Sequence, residues 1–206
     1  MDEMSDRPAQ GGRRARKKAA TRQALADTAL RLFLERGYDQ VGVREIADVA
    51  DVSVSTLFNY FPGGKEALVF DEDADNEDAL IAAVTERPPG QTIPAALRAH
   101  LASLVTSPNT RDPRFVQFQQ LIQQTPALRE YARAMALRHE NALARALAEQ
   151  TNRPSDDLLC AVYARFTLET LAFAGSRADA ADAVDRASLL LEQGWSTAAS
   201  SNPEPA

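Results

Sequence analysis

The chain is predicted to be all-α, and three observations carry that expectation. Apolar residues recur at helical spacing in nearly every segment, cap and turn residues interrupt the pattern at short intervals, and no segment shows the two-residue alternation of a strand. About nine helices are expected, as a small three-helix unit followed by a larger helical domain. The 206 residues accommodate that pair with a substantial core.

Residues 1–15 are polar, cationic and contain Pro and Gly, so they are expected to form a disordered basic arm. The first helix is expected over 16–36, where Leu25, Ala29, Leu32 and Phe33 form one apolar face and Gly37 follows as a C-terminal cap. In the second, Val43, Ile46, Ala47 and Ala50 stand at i, i+3, i+4 and i+7. Asp51-Val52-Ser53 reads as a turn, since Asp tolerates the left-handed conformation and Ser53 can cap the next helix. The third points Leu57 and Phe61 inward and leaves Val54, Ser55, Thr56, Asn59 and Tyr60 outward. Two short helices joined by a tight turn at 42–61, within a domain expected over 16–78, read as a helix-turn-helix, which lays its second helix in the DNA major groove.

The helical pattern continues to the C-terminal region. A linking helix is expected from Gly64 to about Glu86, stopped by Arg87-Pro88-Pro89-Gly90, and Thr92 caps another that ends before Ser107-Pro108-Asn109. Helices over 112–124 and 126–150 follow, the latter with Pro126 in its tolerated first turn. One from Pro154-Ser155 to Phe173 and one from Arg177 to about Thr197 complete a second domain over 79–197, and residues 198–206 are expected to be a disordered tail.

The ordered run Arg22, Leu25, Ala29, Leu32-Phe33, Gly37-Tyr38, Val43, Ile46-Ala47, Ala50, Val52-Ser53, Thr56-Leu57, Tyr60-Phe61, Lys65-Glu66 and Leu68 resembles the N-terminal signature of the tetracycline-repressor (TetR) family of bacterial regulators. The match covers the first third of the chain; the remainder resembles the family in size and helical character, and in pattern is similar to actinobacterial members that sense acyl-CoA-like molecules. The resemblance implies that Arg44 and Lys65 clamp the DNA backbone, while Ser55, Thr56, Asn59 and Tyr60, with Ser53 at the cap, face the groove. Asn59 is the foremost candidate for base reading, since an amide can bond adenine in bidentate fashion. Three positions differ from the family pattern: Asp51 replaces a turn glycine, Phe58 replaces a tyrosine and so lacks a hydroxyl donor, and Pro62-Gly63-Gly64 is one residue longer before Lys65. On the residues alone, Ser55 and Thr56 could instead complete a cap, and Arg44 could pair with Asp48.

The net charge of −6 argues against nonspecific coating of nucleic acid, but it is unevenly spread. Residues 13–65 hold ten Lys or Arg against six Asp or Glu, so the basic surface is local. The stretch Gly11 to Lys18 suits either entry into a minor groove or a solvated tail.

The last two predicted helices are apolar on more than one face, which calls for a second packing partner. Leu158, Val162, Leu171, Val184, Leu191 and Trp195 are therefore expected at a homodimer interface, and a two-fold dimer implies a palindromic operator. The alternative is a larger monomeric core. Phe115, Phe118, Ile122, Tyr131, Met135, His139, Tyr163, Phe166 and Thr170 could line a mostly apolar cavity for a small hydrophobic effector, or be plain core. Release of DNA on effector binding would switch transcription on; the residues alone do not rank repression above activation, and repression is what the resemblance implies, as the family's commoner role.

Rival classes are a helical enzyme and a protein-interaction scaffold. Arg138, His139, Glu140 and Glu169 could be imagined as acid-base groups, but no nucleophile motif, phosphate loop or metal set accompanies them. The acidic run Asp71 to Asp78 lacks the spacing of a calcium loop, and His100 and His139 have no second ligand at zinc spacing, so neither a metal nor any cofactor is expected. Cys160 is the sole cysteine, and neither a leader segment nor a long apolar run is evident, which suits a reducing cytoplasm without a membrane partner.

Overall fold

The computed structural model describes residues 8–107, 113–174, 177 and 179–200. Among them are ten α-helices and no strand: α1 (Pro8–Arg36), α2 (Val43–Val49), α3 (Val54–Tyr60), α4 (Gly64–Val69), α5 (Asp73–Thr85), α6 (Ile93–Val105), α7 (Pro113–Gln124), α8 (Pro126–Gln150), α9 (Leu158–Ala174) and α10 (Ala180–Ser200). A 3-10 turn, Tyr38–Gln40, lies between α1 and α2.

Several boundaries differ from the sequence expectation, each for a local reason. Helix α1 starts at Pro8, so most of the expected arm is helical; Pro is tolerated in a first turn, and the Ala, Arg, Lys and Gln that come after Gly12 favour helix. The linking helix is two helices, interrupted at Phe70, where the backbone leaves helical geometry, and at Asp71, whose carbonyl accepts a hydrogen bond from the Arg22 guanidinium at 2.6 Å. Asp73 and Asp75 then occupy the first turn of α5, where the helix dipole favours carboxylates. Helix α9 begins at Leu158 rather than Pro154 because Asp157 supplies the cap, its Oδ1 accepting from the Cys160 amide at 3.0 Å. Helix α10 continues through 198–200, and the rest of the expected tail, like residues 1–7 and 108–112, lies outside the described residues.

The chain divides into two compact units. The first comprises residues up to Glu72 together with Val116–Tyr131. Its core gathers Leu25, Ala29 and Phe33 from α1, Ile46 and Ala47 from α2, Leu57 from α3, Phe61, and Leu68 from α4. Leu128 is fully buried among them, with Phe118, Leu121 and Ile122 packed alongside. This explains why the first unit is not the contiguous 16–78 that periodicity suggests: a stretch of α7 and α8, distant in sequence, completes its core.

The second unit comprises Asp73–Phe115 and residues from Ala132 on. Helix α10 packs on α6 and α9, and α5 packs on α6. Leu80, Val84, Leu97, Leu143, Leu147, Cys160, Tyr163 and Trp195 form its main core, and Leu101, Ala174 and Val184 a smaller one. This corrects the expected dimer set. Val184 is fully buried within its own unit, and Trp195 is buried with its ring centroid 4.6 Å from that of Tyr163. Leu171 and Leu191 are half-buried against the same cores. Leu158 and Val162 do face outward, and Phe166, Phe173 and Leu190 join them. Burial pushes the Cys160 thiol up to about 11, assisted by the Asp157 carboxylate, so it is protonated at neutral pH. No described helix is long and apolar enough to cross a membrane.

Candidate nucleic-acid interface

Helix α3 has seven residues, far too few to persist alone in water. Its position is therefore set by its surroundings. At its start, Ser53 Oγ accepts the Thr56 amide at 3.0 Å, with the two hydroxyls 2.8 Å apart. Before it, Asp51 adopts φ 55, its amide bonds the Asp48 carbonyl, and the Val52 amide bonds the Ala47 carbonyl. That pair of bonds is the Schellman arrangement, which ends α2 with its carbonyls satisfied and fixes the angle at which α3 leaves. Asp fills the left-handed position that glycine usually takes, as the sequence suggests. At the far end, Arg22 donates to the Tyr60 carbonyl at 3.0 Å while its guanidinium lies 4.5 Å from the Phe61 ring centre. Buried Leu57 and Phe61 anchor the inner face.

The outward face is Ser55, Phe58 and Asn59, all exposed and spaced at i, i+3 and i+4. Thr56 is half-buried and occupied in the cap. Val54 and Tyr60, read from the sequence as outward, instead lean on the core and are half-buried. The alternation of small and bulky residues hides this, because a short helix lying across a core shows it more than one edge. Arg44 is exposed near the start of α2, and among the described residues it forms no ion pair with Asp48. Arg14, Arg16, Lys17 and Lys18 are exposed along α1.

Lys65 is turned away from the role that the resemblance implies. Its ammonium donates to the carbonyls of Tyr38 at 2.6 Å and Val41 at 3.0 Å, and sits 3.8 Å from the Tyr38 ring centre. The glycine pair before it is the reason. Gly64 has φ +76, and a side chain at Gly63 would meet Ala67 Cβ at 3.0 Å and the Tyr131 hydroxyl at 3.4 Å, so this turn is built for glycine and redirects the chain at Lys65. Burial lowers the Lys65 pKa, partly offset by Asp39 and Glu66. Next to it the Tyr38 hydroxyl donates to Glu66 at 2.7 Å; burial and that carboxylate raise its pKa. Lys65, Glu66 and an Arg36–Glu45 ion pair thus tie α4, the 3-10 turn, α1 and α2 together, and spacing alone could not have revealed this network.

The nine candidate effector residues do not form one cluster within either unit. Phe118, Ile122 and Tyr131 belong to the first, where Tyr131 stacks on Phe70 at 5.3 Å and Phe118 meets the same ring edge-on. In the second, Tyr163 is core, Phe166 is 53% exposed and Thr170 donates to the Phe166 carbonyl. Phe115 and Met135 are half-buried. His139 lies with its Nε2 2.8 Å from Asp73 Oδ1 and 3.7 Å from Glu77 Oε2, and Arg138 donates to Asp73 Oδ2 at 2.6 Å. These two residues clasp the start of α5. No group of three metal-ligating side chains occurs among the described residues.

A short, capped, core-anchored helix set off from α2 by a tight turn, with Ser55 and Asn59 turned outward and Arg44 exposed on α2, is the arrangement of a helix-turn-helix DNA-binding protein. The family model for bacterial regulatory proteins of the tetR family matches residues 25–71. The chain is 31% identical over 153 residues to the HTH-type transcriptional regulator TcmR of Streptomyces glaucescens, covering 71% of this chain and 67% of that protein. It is 34% identical over 92 residues to the HTH-type transcriptional repressor KstR of Rhodococcus jostii, covering 45% and 42% respectively. Its fold is similar to that of the TetR family repressor AlkX from Dietzia, implicated in biodegradation of n-alkanes, with TM-score 0.57 at 18% identity over 84% of this chain and 97% of that one. The chain belongs to the tetR family. It is therefore a DNA-binding transcriptional regulator and not an enzyme, of a family whose members respond to ligands and act as dimers.

Proposed function

We propose that the chain is a repressor that binds a palindromic operator as a homodimer and is released by a small hydrophobic effector. The observation that carries the DNA half is the row Ser55, Phe58 and Asn59, presented by a helix whose caps and buried Leu57 leave it one orientation. In this reading Asn59 bonds an adenine edge, Ser55 bonds a base or phosphate, and Arg44 neutralises a phosphate. The helical cations Arg14, Arg16, Lys17 and Lys18 add attraction that is independent of sequence. Lys65 takes no phosphate and acts within the head.

The dimer reading is supported by Leu158, Val162, Phe166 and Phe173 on α9, with Leu189 and Leu190 on α10. Leu158 and Phe173 are 77% and 73% exposed, and Leu190 71%, so two neighbouring helices leave large apolar side chains in water that a partner would cover. Pairing with a symmetry mate would bury these in a four-helix contact and set two recognition helices about 34–36 Å apart, one turn of DNA. An effector that prefers one spacing of the heads then shifts operator affinity by that preference. Support for a hydrophobic effector comes from the alkane context of AlkX. The test is a mobility shift with DNA flanking the coding region, together with mass in solution. A retarded band and a dimeric mass at micromolar concentration are expected; a monomeric mass or no retardation overturns the reading, and a long-chain acyl probe that leaves the band unchanged removes the acyl class of effector.

A further inference from the structure

Phe58 is the one large apolar side chain on the outward face of α3. It is 42% exposed, lies between Ser55 and Asn59, and is absent from the core cluster that includes Leu57, Phe61, Val54 and Tyr60. The part of the ring left in water adds nothing to the stability of the head, since apolar stabilisation follows from surface removed from solvent. The ring has no hydrogen-bonding atom, so it cannot hold a phosphate or a polar base edge. Among the groups that base pairs present in the major groove, one is apolar, the 5-methyl group of thymine.

We propose that Phe58 is a specificity-determining residue that reads a thymine through that methyl group. The proposal rests on the reading that α3 enters the major groove, and adds to it the identity of a base. Phe58 and Asn59 are adjacent on a helix whose angle is fixed at both ends by the Asp51 turn and by Arg22, so their two contacts fall on neighbouring base pairs. An amide suited to adenine beside a ring suited to thymine makes that step of each half-site A·T-containing. Ser55, a turn earlier on the same face, contacts the flanking base or phosphate.

The experiment selects duplexes from a randomised pool with the full-length chain, then replaces each thymine of the enriched duplex with uracil, one at a time. Affinity is read for the wild type, Phe58→Ala and Phe58→Leu, with a melting curve for each. The expected result is one thymine per half-site at which loss of the methyl weakens wild-type binding about fourfold, the size of one buried methyl contact. Phe58→Leu retains part of that sensitivity, and Phe58→Ala binds thymine and uracil alike. Equal wild-type affinity at every uracil position overturns the proposal, as does a Phe58→Ala variant that keeps the sensitivity. Weakened binding by Phe58→Ala with no uracil effect places the ring against the sugar backbone and also overturns it. If no duplex is enriched, the DNA reading itself fails, an outcome distinct from all of these.

Discussion

Arg44 and Lys65 carry the same charge in the same unit and do different things. Arg44 is exposed, whereas the Lys65 ammonium is spent on two carbonyls and a ring. Arg44→Ala should reduce the slope of log affinity against log salt by about 0.9, the share of one phosphate contact, as read by anisotropy titrations at several salt concentrations. Lys65→Ala should leave that slope unchanged and lower the melting temperature of the head, with Lys65→Arg recovering part of the loss. A reduced slope in Lys65→Ala would mean that the ammonium does reach DNA. Asp51 is legible as a turn residue because few side chains tolerate φ 55. Asp51→Val should destabilise by roughly 1–3 kcal/mol, measured by denaturant unfolding, since a β-branched residue in that region is strained. The inward turn of Lys65 is not legible, because it depends on backbone directions at Gly63 and Gly64 and on carbonyls 24 and 27 residues away.

At the level of elements, the caps decide what spacing leaves open. Thr92 and Ser53 are readable as N-caps and each accepts the amide three residues on, at 3.3 and 3.0 Å. Asp157 is masked by Pro154-Ser155, because a helix-tolerated proline is as plausible a start as a carboxylate. Asp157→Ala should cost on the order of 1 kcal/mol of stability in a thermal melt, the usual loss of a cap. Helices α9 and α10 show where periodicity is ambiguous. Both are apolar on two faces, so the sequence announces a second partner without telling which residues face it; Val184 and Trp195 face their own unit and Phe166, Phe173 and Leu190 do not. Placing Glu at both Leu158 and Phe173 should therefore give a folded monomer by light scattering, because charge is introduced where one unit alone leaves the chain wet. A dimer that survives both changes would place the interface elsewhere.

Across the whole molecule, charge and titration set the conditions under which the regulator works. In a chain of net charge −6, the first unit presents exposed cations on α1 and at Arg44, a local attraction for DNA within an acidic whole. His100, half-buried in the second unit, has its pKa lowered below 6.5 by burial. The unfolded chain therefore takes up a proton there before the native one, so stability falls as pH drops through about 6.5 and levels off below the native value. Thermal melts from about pH 7.5 to 5.5 should show a smaller decline for His100→Gln than for the wild type. The all-helical class and the head are legible in the N-terminal third, where a turn, a cap and an apolar face agree within a short span. The division into units is not, because Leu128 joins the first core from beyond a hundred residues away from Leu25.

The most direct test of the account is the ratio of affinities of the full-length chain for its selected duplex and for a scrambled duplex of equal length, compared with that of Asn59→Ala. Loss of one bidentate base contact should cut the ratio by about tenfold and leave affinity for the scrambled duplex unchanged. A variant that keeps the wild-type ratio would contradict the claim that the outer face of α3 reads DNA.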